Sequence, residues 1–233
     1  MNRKLEEYIL EHSTPEDPLL EELYRQTHIR FVNPNMTSGH LQGKFLEMLS
    51  MMIMPENILE IGTFTGYSAI CLSKGLKPGG KLVTIEMNDE LTTFAHSWIC
   101  KAGAETKITQ LTGNALELIP EIDLMFDLVF IDGDKREYID YYRLVFEKVK
   151  PGGFILADNV LWGGKVIETE TTDPQTKGIL DFNEMIKSES GIDEVIVPMR
   201  DGLMLIRKKG RLGDWETGRV RDLETKGLRG LGT

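Results

Sequence analysis

Three oxygen-bearing side chains follow two predicted strands at the point where each strand ends. Asp132 comes directly after the apolar stretch 126–131, and Asp158 and Asn159 come directly after the apolar stretch 153–157. If these two strands are neighbours in a parallel sheet, their carboxyl ends meet at one edge. Two carboxylates and an amide are ligands that Mg²⁺, Mn²⁺ or Ca²⁺ prefer. The pattern therefore predicts a divalent-cation site, whereas a single acid at a strand end would simply be solvated.

A lysine close to these acids could move a proton. Lys135 lies three residues after Asp132. A nearby dication disfavours the charged form of a lysine, so Lys135 could accept a proton from a hydroxyl of an acceptor molecule. The alternative is an ordinary surface lysine at the start of a helix. We expect a catalytic role for Lys135, with Asp132 beside it.

A glycine-rich turn between a predicted strand and a predicted helix is the second candidate site. Its sequence is Glu60-Ile-Gly-Thr-Phe-Thr-Gly-Tyr-Ser68. Glycines allow the backbone to approach a ligand, and the N-terminus of a helix offers unpaired N–H groups. The spacing of Gly62 and Gly66 differs from the G-x-G-x-x-G pattern of dinucleotide-binding proteins. A tight turn that needs glycine only for packing is the alternative.

Glu86 ends the next predicted strand, residues 81–85, and could bind a ribose. A carboxylate there can accept hydrogen bonds from two ribose hydroxyls. Glu86 lies 26 residues after Glu60, which is close to the spacing of one strand–helix–strand unit in nucleotide-binding folds. The alternative is a solvated glutamate, but its position beside the glycine turn favours the ligand-binding role.

The elements that would position these residues follow an alternating pattern. Predicted strands span residues 57–61, 81–85, 106–111, 126–131 and 153–157, and the helices among and after them span 66–76, 89–102, 114–119, 136–149 and 174–188. Such alternation favours a parallel sheet with helices on both faces. The stretches 195–199 and 202–207 flank Arg200-Asp201-Gly202 and predict a hairpin. Three helices, at residues 3–13, 16–31 and 38–54, come first, and Ser38 is expected to cap the third.

Length and composition favour one α/β domain. The 233 residues are 41% hydrophobic, so residues 1–209 can form a full core. No stretch reaches the 18 apolar residues of a membrane span, and we expect no secretion signal. Cys71 and Cys100 are expected to be reduced thiols of a cytoplasmic protein. Residues 210–233 combine frequent glycines with scattered charges, and we expect a flexible tail or an artefact outside the fold.

Three sequence blocks together resemble the cation-dependent O-methyltransferases, the caffeoyl-CoA and catechol O-methyltransferase-like enzymes and especially their bacterial members. The blocks are the glycine turn 60–68, the segment Phe130-Ile-Asp-Gly-Asp-Lys135 and the segment Asp158-Asn-Val-Leu-Trp-Gly-Gly164. The resemblance covers about residues 30–207. It implies the Rossmann-like fold of methyltransferases that use S-adenosylmethionine (SAM), with a mostly parallel seven-stranded sheet, an antiparallel last strand and helices on both faces.

The resemblance also assigns roles to individual residues. It implies that Asp132, Asp158 and Asn159 bind the metal and that Lys135 is the base. The SAM site would be lined by Met36, Ser38, Glu60, Gly62, Ser68, Glu86, Ala115, Asp132 and Asp134. Ser38 and Glu86 stand where plant members usually have threonine and aspartate, which keeps the hydrogen-bonding chemistry. The segment 39–43 lacks the acidic residues that plant enzymes often carry there, which argues against a plant-like substrate.

The acceptor is open between two classes. Trp162 follows the metal ligands and could stack on a flat acceptor ring, or it could be a hydrophobic anchor. One acceptor is a small catechol or hydroxycinnamoyl compound with adjacent oxygens, which the net charge of −10 favours. The other is 5-hydroxyuridine in tRNA, which some bacterial relatives methylate; possible phosphate contacts are Arg25, Arg30, Lys44, Lys165 and Arg200.

Two further classes of protein stay as alternatives. One is a SAM-binding protein without catalysis, which would need no set of metal ligands. The other is a nicotinamide oxidoreductase, which the glycine spacing disfavours. Members of the family that the chain resembles are commonly dimers, so a homodimer formed through the N-terminal helices is expected.

Overall fold

The computed structural model describes residues 3–168 and 171–210 of the chain. The predicted tail 210–233 lies outside the described residues, apart from Gly210. The helices are α1 (Arg3–Glu11), α2 (Pro18–Arg30), α3 (Gly39–Ile53), α4 (Tyr67–Ser73), α5 (Asp89–Lys101), α6 (Ala115–Glu121), α7 (Tyr138–Lys148) and α8 (Pro174–Lys187). The strands are β1 (Asn57–Ile61), β2 (Lys81–Glu86), β3 (Ile108–Thr112), β4 (Phe126–Ile131), β5 (Val149–Asp158), β6 (Ile192–Val197) and β7 (Leu203–Lys208). Short 3₁₀ turns span Pro34–Met36, Lys135–Glu137 and Trp162–Ile167.

The strands of the described region form one seven-stranded sheet in the order β3-β2-β1-β4-β5-β7-β6. Strands β1 to β5 run parallel to one another. Strand β7 runs antiparallel to both β5 and β6, between which it lies. The predicted fold class is therefore confirmed, including the hairpin and the antiparallel last strand.

Both faces of the central strands β1 and β4 are buried, as expected for parallel strands covered by helices. Successive residues of a strand point to opposite faces, so Leu59 and Ile61 belong to one core cluster and Ile58 to the other. The first cluster packs against α6, α7 and α8, and the second against α2 to α5. This double burial holds the ends of the central strands in fixed positions.

Side-chain caps fix where several helices begin. Asn88 and Asn114 accept hydrogen bonds from N–H groups two residues later, at the starts of α5 and α6. Asp173 does the same at the start of α8. Ser38 makes no such bond, because its backbone is already helical (φ −56°, ψ −39°) rather than extended. The expectation that Ser38 caps α3 through its side chain is therefore wrong.

Two boundaries differ from the sequence prediction near the site. Strand β5 begins at Val149 rather than residue 153, and its register with β4 shifts between Phe126 and Leu128. The helix predicted from residue 136 begins with a 3₁₀ turn that Asp134 caps.

No helix within the described residues is long and apolar enough to cross a membrane.

Candidate active site

The sheet order brings the predicted metal ligands to one edge. Strands β4 and β5 are neighbours, with Ile131 paired to Ala157, so Asp132 directly follows one strand and Asp158 is the last residue of the adjacent one. Asn159 comes next and has a left-handed backbone (φ 60°). The condition on which the cation site depended, that the two strands are adjacent, is met.

Asp158 is a buried carboxylate held on both oxygens. It is 4% exposed. Its Oδ1 accepts from the Asn159 backbone N–H at 2.9 Å, and its Oδ2 accepts from Gln42 Nε2 at 2.7 Å. Burial and the negative charge of Asp132 raise the pKa of Asp158 to about 6, while the Gln42 hydrogen bond and the Lys135 charge oppose that rise. Two acids so close together are an environment that favours a cation.

Lys135 is buried between Asp132 and an aromatic side chain. Its Nζ donates to Asp132 Oδ1 at 2.8 Å and to the Tyr138 hydroxyl at 2.7 Å. Tyr138 is fully buried and donates in turn to the Asp158 backbone carbonyl at 2.9 Å. The predicted base, Lys135, thus contacts the predicted metal ligand Asp132 directly. Through Tyr138 it is also linked by hydrogen bonds to the backbone of the other predicted ligand, Asp158.

Gly62 allows the end of β1 to lie directly against the end of β4. A Cβ at Gly62 would lie 2.3 Å from the Asp132 backbone oxygen, and its φ of +101° is unfavourable for other residues. The glycine turn therefore has a packing reason as well as a ligand-binding one. Because the glycine turn lies beside Asp132, the predicted SAM site and the predicted metal ligands are adjacent.

Glu86 lies at the end of β2, next to the glycine turn. Its carboxylate accepts from the Phe64 N–H at 2.7 Å and from the Asn88 N–H at 2.9 Å. These bonds hold the side chain in place, and each carboxylate oxygen retains capacity for another donor. Glu86 therefore lies at the cavity with acceptor capacity left, and its binding of ribose hydroxyls stays a prediction.

Glu60 occupies a different environment from Glu86. It is fully buried on β1, and its Oε2 accepts from Thr84 Oγ1 at 2.5 Å. Burial raises the pKa of Glu60 to about 8, against the opposing effect of hydrogen bonds from Ser68 and Thr84. The environment of Glu60 therefore favours the uncharged form of its carboxyl group.

A cavity of about 940 Å³ lies at this edge of the sheet, a size suited to a small ligand. Most of the predicted site residues line it: Met36, Gly62, Glu86, Ala115, Asp132, Asp134, Lys135, Asp158, Asn159 and Trp162. Ser38, Glu60 and Ser68 are buried and do not line it. The structure thus brings the metal-ligand and SAM-site predictions into one cavity and places those three residues behind its wall.

Trp162 is anchored in the core and also lies at the cavity, while its stacking on an acceptor ring stays a prediction. Its ring lines the cavity and also packs against the core cluster around β4 and β5. Its Nε1 lies 3.5 Å from Asp173 Oδ2. It is thus an anchored aromatic wall of the cavity.

Several contributors were missed by the sequence reasoning. Gln42, on α3, carried no signal because a glutamine near a helix start has no distinctive spacing. Tyr138 fell within the predicted helix 136–149 and was not singled out. Arg200 was considered as part of a hairpin turn and as a phosphate contact, but its guanidinium donates to backbone oxygens of Asn35 and Thr37.

The five basic residues named for tRNA binding are all engaged with other groups. Arg25 pairs with Glu22, Lys44 with Glu47 and Lys165 with Asp173. Arg30 donates to Gln26, and its guanidinium lies over the Phe94 ring. Among these five, only Arg200 lines the cavity.

Comparisons with known proteins agree with this geometry. The profile of a family described as O-methyltransferase matches residues 10–209. A catechol O-methyltransferase of Niastella koreensis is 35% identical over 172 residues, which cover 72% of this chain and 75% of the relative. A caffeoyl-CoA O-methyltransferase of Stellaria longipes is 30% identical over 220 residues, which cover 89% of this chain and 91% of the relative.

Solved structures show the same architecture. The O-methyltransferase TomG from Streptomyces achromogenes, in complex with SAM, superposes with a TM-score of 0.84 and 31% identity, covering 90% of this chain and 100% of that one. An O-methyltransferase from Bacillus cereus, in complex with SAH, gives a TM-score of 0.80 and 32% identity, covering 88% and 97%. The chain belongs to the family of SAM-dependent O-methyltransferases that includes the catechol and caffeoyl-CoA O-methyltransferases.

Proposed function

We propose that this protein is a divalent-cation-dependent O-methyltransferase. It would transfer the methyl group of SAM to a hydroxyl of a catechol-like or hydroxycinnamoyl molecule with adjacent oxygens. The observation that carries the proposal is the pairing of β4 with β5, which places Asp132, Asp158 and Asn159 beside Lys135 at the wall of one cavity. The named activities of the two curated relatives support the acceptor class.

The residues present fit a hard cation such as Mg²⁺, with Mn²⁺ and Ca²⁺ as the other candidates. Carboxylate and amide oxygens are the donors that such ions prefer, and Asp158 is raised in pKa by burial and by the neighbouring charge of Asp132. In the described part of the chain there is no group of three or more His, Cys, Asp or Glu residues suited to a metal. The proposed set therefore depends on Asn159 as its third ligand.

The chain's own residues would orient and deprotonate the acceptor. A bound dication would supply positive charge that favours ionisation of an acceptor hydroxyl. Lys135 would take the hydroxyl proton at Nζ, and Asp132 and Tyr138 hold that nitrogen in place. Trp162 would contact the acceptor ring. The ionised oxygen would then attack the methyl carbon of SAM in line, so that the O–C bond forms as the C–S bond breaks and S-adenosylhomocysteine leaves, with the enzyme supplying orientation.

SAM would occupy the part of the cavity formed by the glycine turn and the end of β2. Glu86 would accept hydrogen bonds from the ribose hydroxyls, since its carboxylate is fixed by two backbone donors. Met36, Gly62, Ala115 and Asp134 would contribute cavity wall. Ser38, Glu60 and Ser68 would act from behind that wall.

Methylation of 5-hydroxyuridine in tRNA is the second candidate function, and the structure favours it less. A tRNA acceptor needs free cations for phosphates, whereas the basic residues considered for that role have other partners. A non-catalytic SAM-binding role is also disfavoured, because such a protein needs no lysine held against the predicted metal ligands.

The test is transfer of labelled methyl from SAM, in parallel, to a panel of catechols and to tRNA that lacks the modification, with and without EDTA. We expect label on a catechol that EDTA abolishes. Label that persists in EDTA with a fully active enzyme would contradict cation dependence. Label on tRNA alone would replace the small-molecule acceptor by RNA.

The proposal also covers the oligomeric state and the cellular location of the protein. We expect a homodimer that is located in the cytoplasm. Exposed apolar side chains of α1 and α3, such as Tyr8 and Met52, are 56% and 76% exposed and could lie in a dimer interface. Sedimentation equilibrium at low micromolar concentration would test the dimer, and a monomer at all concentrations would exclude it.

A further inference from the structure

Gln42 lies between Arg200 and the carboxylate of Asp158. Gln42 is buried, with 2% of its surface exposed. Its Nε2 donates to Asp158 Oδ2 at 2.7 Å, and its Oε1 accepts from Arg200 Nη1 at 2.9 Å. Because an arginine side chain only donates, the oxygen of the amide must face Arg200. The nitrogen must therefore face Asp158.

Arg200 is fixed by the backbone of a separate segment. It lies in the turn between β6 and β7 with a left-handed φ of 48°. Its guanidinium also donates to the backbone oxygens of Asn35, Thr37 and Ser38, which precede α3. The partner of the Gln42 oxygen is therefore held by main-chain groups rather than by another mobile side chain.

The amide separates the positive charge of Arg200 from Asp158. A guanidinium in direct contact would neutralise the carboxylate and compete with a cation for its oxygens. A neutral amide fixes the direction of the carboxylate while the negative charge remains available. Partners behind metal ligands commonly orient them in this way.

We propose that Gln42 and Arg200 are positioning residues, which together hold the Asp158 carboxylate in the orientation that a divalent cation requires. The inference rests on the proposed cation-dependent function and adds two residues to it that lie on separate elements. Neither residue needs to touch the cation or the acceptor for this role.

The chain contains a matched control for this arrangement. On α2, Arg30 Nε donates to Gln26 Oε1 at 2.9 Å, and Gln26 Nε2 donates to Glu22 Oε1 at 2.9 Å. The chemistry of donor, amide and carboxylate is the same. None of these three residues lines the cavity. The control bonds are more exposed than the bond between Gln42 and Asp158. Equivalent substitutions in the two arrangements therefore test whether losing such bonds away from the site weakens Mn²⁺ binding, and folding is verified separately.

The experiment measures Mn²⁺ binding by the electron paramagnetic resonance of the free ion, without acceptor or turnover. The variants are Gln42→Met and Arg200→Met, with Gln26→Met and Arg30→Met as controls; methionine keeps the unbranched shape but cannot donate. We expect the dissociation constant to rise roughly tenfold or more in the first pair, as for other partners of metal ligands. The control pair should stay close to the wild type.

The double variant Gln42→Met/Arg200→Met tests whether the two residues act together. If Arg200 acts through Gln42, the double variant binds Mn²⁺ about as weakly as Gln42→Met alone, whereas independent effects would multiply. An unchanged Mn²⁺ affinity in Gln42→Met, or multiplying effects in the double variant, would overturn the inference. Circular dichroism and SAM binding verify that each variant is folded. If Arg200→Met is unstable, the Mn²⁺ affinity of Gln42→Met compared with that of Gln26→Met tests the inference alone.

Failure of the proposed function gives a different result. A wild-type protein that binds no Mn²⁺ and transfers methyl groups in EDTA would contradict cation dependence itself. A wild-type protein that binds Mn²⁺, together with a Gln42→Met variant that binds it equally well, would contradict only the positioning role.

Discussion

At the scale of single residues, the environment of each carboxylate decides its role. Asp158 and Glu60 are both buried acids whose pKa the charge of Asp132 helps to raise, yet of the two only Asp158 lines the cavity. Glu86 is less buried and is held by two backbone N–H groups. These differences separate a proposed metal ligand, a structural acid and a proposed ribose ligand.

Substitution of Asp158 should separate metal use from SAM binding. Asp158→Ala removes a proposed ligand but leaves Glu86 and the glycine turn intact, so we expect EDTA-sensitive turnover to be lost while SAM affinity in calorimetry stays close to the wild type. Asp127→Ala is the control, because Asp127 pairs with Lys150 near the start of β4. That variant should lose stability but keep EDTA-sensitive turnover, and an equal loss of SAM binding in Asp158→Ala would refute this division of roles.

The burial of Glu60 predicts a pH dependence of stability. Burial raises the pKa of Glu60 from 4.5 to about 8. Between these values the folded protein keeps a proton that the unfolded chain has released, so the free energy of unfolding falls as pH rises. Glu60→Gln removes this contribution. We expect it to gain stability relative to the wild type as pH rises, by at most about 1.4 kcal/mol per pH unit.

Chemical denaturation of the SAM-free protein at several pH values from about 5 to about 8 measures the Glu60 effect. Glu117→Gln serves as the control, since Glu117 is exposed on α6. A constant difference between Glu60→Gln and the wild type across this range would show that Glu60 is not protonated in the folded state.

At the scale of elements, the contact between the ends of β1 and β4 joins the two halves of the site. Gly62→Ala should be more damaging than a comparable change elsewhere, because its Cβ would overlap the Asp132 backbone. We expect its free energy of unfolding to fall by roughly 2–5 kcal/mol, because overpacking adds to backbone strain. We also expect weaker SAM binding.

Gly79→Ala is the matched control for Gly62→Ala. Gly79 also has a positive φ, of +82°, but a Cβ there would meet no atom within 4 Å. Its cost should be limited to the backbone strain of about 1–2 kcal/mol. If urea denaturation gave equal losses of unfolding free energy for the two variants, the close approach of Gly62 to Asp132 would not contribute to stability.

The turn between β6 and β7 also acts at the scale of elements. Its backbone oxygens at Asp201 and Gly202 accept from Leu161 and Val160, in the loop that carries Trp162. Its Arg200 binds the segment before α3. One turn therefore contacts two separate parts of the cavity wall, which explains why a hairpin at one side of the sheet matters for the site.

At the scale of the whole molecule, residues 1–209 are predicted to be sufficient for folding and activity. Near that boundary, the Lys209 N–H donates to the Gly191 oxygen at 2.9 Å. A chain that ends after Lys209 should keep the melting temperature and the methyl-transfer rate of the full chain. Thermal denaturation and the labelled-methyl assay measure both, and a clear loss of either would show that residues 210–233 contribute.

The sequence by itself determined the order of the elements and the residue types at the strand ends. Continuous apolar stretches, glycine turns and helical periodicity are local signals, so strands β1 and β4 were located at their observed bounds. Asp132 and Asp158 could be singled out because each directly follows such a run. The resemblance to the O-methyltransferase family could also be recognised from three short continuous blocks, residues 60–68, 130–135 and 158–164.

The tertiary structure alone decided which distant side chains complete the site. Gln42 and Asp158 are 116 positions apart, and Arg200 is 158 positions from Gln42, so no local pattern could pair them. It also decided that Glu60, Ser38 and Ser68 lie behind the cavity wall. The physical reason is that periodicity fixes which face an element buries, whereas contacts between elements depend on how all of them pack around the sheet.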